Sequence, residues 1–182
     1  MKLQAKTILV PALTLFAICL VVTALLAGTN LLTKDQIAEQ ARVTAEESRK
    51  IVLSDAEAFE EQDGCYVGMA NGEIVGYVFE TEAKGYGGTM KVMTGIRADG
   101  NVTGVVILEH GETPGLGANA ERTSFTDQYK QAAPEGGITL VKNKTPTEGE
   151  VEALTGATIT SRAVTTAVNE AIERFNALKG GD

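Results

Sequence analysis

Leu154-Thr155-Gly156-Ala157-Thr158-Ile159-Thr160-Ser161-Arg162 closes a loop and opens the last amphipathic helix of a 182-residue chain. A helix N-terminus presents unpaired backbone N–H groups and about half a positive charge. A phosphate placed there is stabilised without a metal or an arginine cluster. Gly156 and Ala157 leave the turn open to a bulky neighbour, and the hydroxyls of Thr155, Thr158, Thr160 and Ser161 surround it. Ser and Thr also cap helices, so on composition alone Thr160 or Ser161 reads as an N-cap. From that start Val164, Val168, Ala171, Ile172, Phe175 and Leu178 share one face of a helix predicted over 161–178.

An apolar helix face must be covered, and the segments upstream supply strands. Asn71-Gly72 separates 65–70 from 73–81, and Asp99-Gly100 separates 91–98 from 101–109. Both dipeptides suit the tight turns that match strand twist, which predicts two antiparallel pairs. Val75, Tyr77 and Phe79, like Val102, Val105 and Ile107, have the branched or aromatic side chains of a half-buried sheet. Residues 119–133 read as helical, 137–141 as a short strand and 142–150 as a polar loop. The charged, Ala-rich stretch 32–61 lacks Gly and Pro and reads as one or two helices. The order of elements predicts an α+β fold, with an antiparallel sheet packed against helices.

At the other end, residues 8–28 hold only Thr14 and Thr23 as polar members, with Pro11 placed in the expected first turn. As a helix this run is roughly 31 Å long, enough to span a hydrocarbon core of about 30 Å. Lys2 and Lys6 precede it and no acid does, so the positive-inside rule places the N-terminus in the cytoplasm and the rest outside. The run exceeds the apolar core of a cleaved signal, and Leu25 before Ala27 makes a poor cleavage site, so the helix is expected to be retained. The organisation expected is a membrane anchor over 1–32, a helical connector over 33–61 and one domain over 62–182.

Beyond the anchor, 14 Lys and Arg stand against 24 Asp and Glu, a formal charge near −10, which disfavours nucleic acid and anionic lipid surfaces as partners. Cys19 lies in the apolar run and Cys65 in the external part, so they cannot pair within one chain, and one His with no Cys cluster offers no transition-metal ligand set. Two loops remain with unusually little side chain, Gly85-Tyr86-Gly87-Gly88 and Glu109-His110-Gly111-Glu112-Thr113-Pro114-Gly115-Leu116-Gly117. Their glycines are read as letting backbone approach a flat ligand. Tyr86 and Leu116 are candidates for its faces, and Glu112 and Thr113 for hydrogen bonds. His110 has no evident partner in the sequence and reads as structural rather than as a general base.

These segments, in this order, resemble the FMN-binding domain family. Thr155-Gly156-Ala157-Thr158-Ile159-Thr160-Ser161 is similar to its flavinylation motif, in which the FMN phosphate is joined to the hydroxyl of the last Thr of a Thr/Ser-Gly-Ala-Thr core. That resemblance implies a phosphoester on Thr158. It also implies cofactor contacts from Leu154, Thr155, Gly156, Ala157, Thr160, Ser161, Tyr86, Gly87, Glu112, Thr113, Gly115 and Leu116. Glu152 stands where the family usually carries Asp. One membrane helix followed by one domain is most similar to the G subunits of Rnf complexes, the ion-translocating ferredoxin:NAD oxidoreductases. The C subunits of Na+-translocating NADH:quinone reductases share the pattern but are longer. The implied role is electron relay within the cell (inner) membrane, with the FMN domain extracytoplasmic and no catalysis by this chain alone. Its partners would be other membrane subunits of the complex, and a flavin transferase during maturation. A tethered binding or assembly protein and a free-standing flavin reductase are the alternatives of other classes.

Overall fold

The computed structural model describes residues 5–134 and 136–180. Its elements are α1 (Ala5–Val52), β1 (Ala58–Gln62), β2 (Cys65–Ala70), β3 (Glu73–Lys84), β4 (Thr89–Arg97), β5 (Val102–Glu109), α2 (Thr123–Thr126), β6 (Thr139–Val141), β7 (Glu150–Glu152) and α3 (Thr158–Lys179). Two compact units are formed, Met1–Val43 and Thr44–Asp182.

The first unit is helical. Its apolar side chains from Ile8 to Leu26 are solvent-exposed, and the helix is long and apolar enough to cross a membrane. The Thr14 hydroxyl donates to the Val10 carbonyl, so this polar group is satisfied without water. Pro11 lies inside the helix rather than in its first turn, because the helix already begins at Ala5.

The second unit is built on a five-stranded antiparallel meander in the order β1-β2-β3-β4-β5. Both expected hairpins are present, and β3 also pairs with β4 through the turn at Gly85–Gly88, where the Gly85 N–H donates to the Gly88 carbonyl. The predicted pairs are therefore one sheet. β1 falls where a helix was expected: its Ala and Glu residues have good helix propensity, but pairing with β2 overrides it. The turn between them, Asp63-Gly64, has both residues at positive φ.

Each face of the sheet is covered by a different helix. On one, α3 buries Val164, Val168, Ala171, Ile172 and Phe175 against Phe79, Met90, Val92 and Ile96, and Phe175 meets Tyr77 edge to face. Leu178, expected on this face, is 42% exposed. On the other face the last turns of α1 end in a trough made of glycines. Gly68 pairs with Gly76 and Gly95 with Gly104 across adjacent strands. A Cβ at Gly68 or Gly76 would fall within 3 Å of Leu53, and one at Gly95 or Gly104 within 3 Å of Val52. Val52 and Leu53 are both fully buried there. The Thr103 hydroxyl donates to the Val52 carbonyl, satisfying one group that the helix end leaves open.

The segment 119–133, expected to be one helix, is instead a 3-10 turn (Gly117–Glu121), the single turn α2 and a second 3-10 turn (Asp127–Tyr129). Phe125 and Tyr129 are buried and stack edge to face, and that packing replaces helical continuity. β6 forms as expected, but it pairs in parallel with β7, whose residues the sequence does not mark as a strand. Asn169 of α3 clamps β6 by accepting from the Ile138 N–H at 2.7 Å and donating to its carbonyl at 2.9 Å.

Candidate functional site

α3 begins three residues before the predicted start, and this removes the capping role expected of Thr160 or Ser161. Ala157 is the N-cap and contributes no side-chain bond. Thr160 and Ser161 lie inside the first turns and do not cap the helix. The Thr160 hydroxyl donates to Glu112 Oε2 at 2.5 Å. Ser161 donates to the Ala157 carbonyl at 3.0 Å and accepts from the Leu154 N–H at 2.9 Å. Both are buried. Thr155 is exposed in the preceding turn. Thr158, half-buried as the first helical residue, has no hydrogen-bond partner for its hydroxyl among the described residues, and it lines a cleft.

That cleft has a volume of about 510 Å³. It falls within the range of roughly 300–1,000 Å³ usual for cofactor and small-molecule sites. Its walls are Tyr86, the stretch Glu112, Thr113, Leu116 and Gly117, and the helix start Gly156, Ala157, Thr158, Ile159 and Thr160. Tyr86 (72% exposed), Leu116 (49%) and Ile159 (52%) present apolar surface at its rim. The first backbone N–H groups of α3 lie at the same end, the usual seat of an anion.

Of the predicted site residues, Tyr86, Glu112, Thr113, Leu116, Gly156, Ala157, Thr158 and Thr160 are brought together here. Gly87, Gly115, Thr155, Leu154 and Ser161 are not in the lining: Leu154 packs against the core and Ser161 bonds within its own turn. Gly117, one of the loop glycines read as admitting a ligand, also lines the cleft, and so does Ile159, which the sequence reading does not select. Ile159 carried a signal, an apolar residue off the core face of its helix.

Glu112 is 6% exposed and joins two walls. Besides the Thr160 hydroxyl it accepts the Gly87 N–H at 3.0 Å. Burial pushes its carboxyl upward, but hydrogen bonds from the Thr160 hydroxyl and from the Gly87 and Tyr86 backbone outweigh this and hold it below the usual carboxylate range. The glycines nearby make room for this loop packing. A Cβ on Gly85 or Gly117 would lie 2.3 Å from a Glu112 oxygen, and one on Gly87 would lie 1.8 Å from the Gly111 carbonyl. Gly115 and Gly156 are needed for φ near +79° and +77°.

His110 has partners that the sequence did not reveal. Its Nδ1 accepts the Glu112 N–H at 3.0 Å and its Nε2 lies 3.0 Å from Glu121 Oε1, so the neutral ring carries its proton on Nε2. The ring is outside the cleft lining. Among the described residues no cluster of His, Cys, Asp and Glu could hold a metal.

Family models match two parts of the chain: an FMN-binding domain over residues 85–173, and an RnfG N-terminal region over residues 1–48. The chain is 36% identical to the G subunit of the Na(+)-translocating ferredoxin:NAD(+) oxidoreductase complex of Acetobacterium woodii, over 97% of this chain and 96% of that one. It is 34% identical to the G subunit of the proton-translocating ferredoxin:NAD(+) oxidoreductase complex of Clostridium ljungdahlii, over 90% and 89%. Among solved structures, Shewanella oneidensis NqrC superimposes with a TM-score of 0.55 at 22% identity, covering 71% of this chain and 74% of that one, and so shares its fold.

Proposed function

The chain belongs to the family of G subunits of ion-translocating ferredoxin:NAD(+) oxidoreductase complexes, which carry an FMN-binding domain, and from that membership we propose that it relays electrons through FMN esterified to Thr158. One observation carries the choice of residue. Of the hydroxyls between Thr155 and Ser161, only that of Thr158 both lines the cleft and is free of a hydrogen bond among the described residues.

The residues present fit such a group. The α3 start faces a phosphate with its first N–H groups, worth about 0.3–1 kcal/mol in charge–dipole terms, too little to retain a cofactor alone. A covalent bond supplies the retention. Tyr86 and Leu116 lie where they would flank a flat ring, and Thr113 offers a polar group at the same wall. Bound FMN supplies one- and two-electron redox chemistry that no side chain here possesses. The protein's part is to orient the ring, limit its contact with water and set the charge around it. Thr155, Gly156 and Glu152 are exposed, which leaves the motif open to a flavin transferase.

The apolar helix of α1 anchors the chain in the cell membrane. With Lys2 and Lys6 ahead of it, the N-terminus is cytoplasmic and the flavin domain lies on the opposite side. The span carries no Asp, Glu, Lys, Arg or His between 8 and 28, so ion movement and nicotinamide chemistry belong to other membrane subunits with which this chain assembles. The test is intact mass and in-gel fluorescence of the full chain expressed with a flavin transferase. The wild type should carry one FMN through denaturing electrophoresis and Thr158→Ala none. Covalent flavin that persists in Thr158→Ala, or a wild type at the bare sequence mass, removes the assignment.

A further inference from the structure

Glu112 is the only charged side chain buried among the described residues. A carboxylate is costly to remove from water, so its site must supply strong partners. The surroundings are shaped to it from both sides. Gly85 and Gly117 each lack the Cβ that would stand 2.3 Å from one of its oxygens. One oxygen accepts the Gly87 N–H at 3.0 Å, and the other accepts the Thr160 hydroxyl at 2.5 Å. Gly87 follows Tyr86, whose ring is 72% exposed at the rim, and Thr160 lies two residues after Thr158. Neither partner belongs to the loop of Glu112 itself. Among the described residues, these hydrogen bonds link the β3–β4 turn to the first turn of α3 through a single side chain.

We propose that Glu112 is the positioning residue of the cofactor seat: it ties the Tyr86–Gly87 turn to the start of α3, fixing the span between the Tyr86 ring and Thr158, and puts one negative charge in the wall that the flavin faces. The proposal rests on the cleft being the FMN seat, but its mechanical half concerns the chain alone. Charge-assisted bonds are stronger than those a neutral amide would accept, which suits a tie across two loops. The same charge opposes the arrival of an electron in the cleft and so lowers the potential of the group held there.

Two measurements on the full chain in detergent decide it. The first uses a Thr158→Ala background, which should carry no covalent flavin, and follows hydrogen exchange of the Gly87 amide, with Val92 in the sheet as control. Glu112→Ala should speed exchange at Gly87 roughly tenfold or more and leave Val92 unchanged. If that variant fails to fold, Glu112→Asp, which keeps the charge but shortens the reach, should show the same acceleration. Unchanged exchange at Gly87 beside an intact control overturns the tie. The second compares flavin-loaded wild type with Glu112→Gln, which preserves shape and removes charge. Its midpoint potential, read on the flavin that is bound, should shift positive, and an unshifted potential overturns the electrostatic half. A wild type that takes up no flavin defeats the reading of the cleft, while the exchange measurement still decides the tie.

Discussion

Four hydroxyls occupy the run from Thr155 to Ser161, and their fates diverge: Ser161 bonds within its own turn, while Thr160 reaches a partner far away in sequence. The place of Thr158 in the cleft wall was legible from the motif alone. The role of Thr160 was not, since its partner Glu112 lies 48 positions away and only the fold joins them. Glu112 gives the site a pH signature. Its folded-state value is below the ordinary carboxylate range, so its stabilisation is complete above that range. It is lost as pH falls through the unfolded value toward the folded one. The stability gap between wild type and Glu112→Gln in urea titrations should therefore shrink from pH 7 to pH 3. Glu150, drawn down to about 2 by Lys144 and by Thr147, titrates in both chains and cancels. A gap that widens on acidification contradicts the account. The glycines make a sharper residue-scale contrast. Gly87→Ala forces a methyl onto the Gly111 carbonyl and should destabilise by about 1–3 kcal/mol. Gly115→Ala meets only the positive-φ penalty, about 1 kcal/mol. Equal urea midpoints for the two would argue against the loop–loop contact.

At the scale of elements, the hairpins were readable because Asn-Gly and Asp-Gly impose local geometry, whereas the length of a helix depends on what it packs against. Asp63-Gly64 was a third such signal, and it marks β1 despite that strand's helix-forming composition. Nothing in 119–133 announces a broken helix, because Phe125 and Tyr129 gain more from the core than the backbone loses by interruption. The contact between α3 and the sheet contains one flaw. The Thr94 hydroxyl of β4 is fully buried and has no hydrogen-bond partner among the described residues. Thr94→Val keeps the shape and removes the unpaired group, so it should raise stability by about 1 kcal/mol. Phe175→Ala, which removes a ring 2% exposed and packed on Tyr77, should cost about 3–5 kcal/mol. Chemical denaturation of both variants measures these, and a Thr94→Val protein weaker than wild type would point to a missed partner for that hydroxyl.

For the whole molecule, the boundary of the flavin-carrying part is set by packing rather than by composition. A domain beginning at 62 suits the sequence, since everything from 32 to 61 reads as a charged helix. In the structure the second compact unit begins at Thr44, because Val52 and Leu53 fill the glycine trough and β1 pairs with β2. The trough was illegible because a glycine within a strand ordinarily reads as a weak point, and only the register aligns Gly68 with Gly76 and Gly95 with Gly104. Burying the Val52 and Leu53 side chains contributes roughly 1.5–3 kcal/mol each. Against a total of about 5–15 kcal/mol for a domain, that is a large share. A chain starting at Thr44 keeps both residues and should melt in one cooperative transition. A chain starting at 62 loses them and β1, exposing the trough and the β2 edge, and should melt about 10 °C lower or lack a cooperative transition. Calorimetry on the two truncated chains separates the boundaries, and equal melting temperatures would show that the end of α1 rests on the sheet without stabilising it.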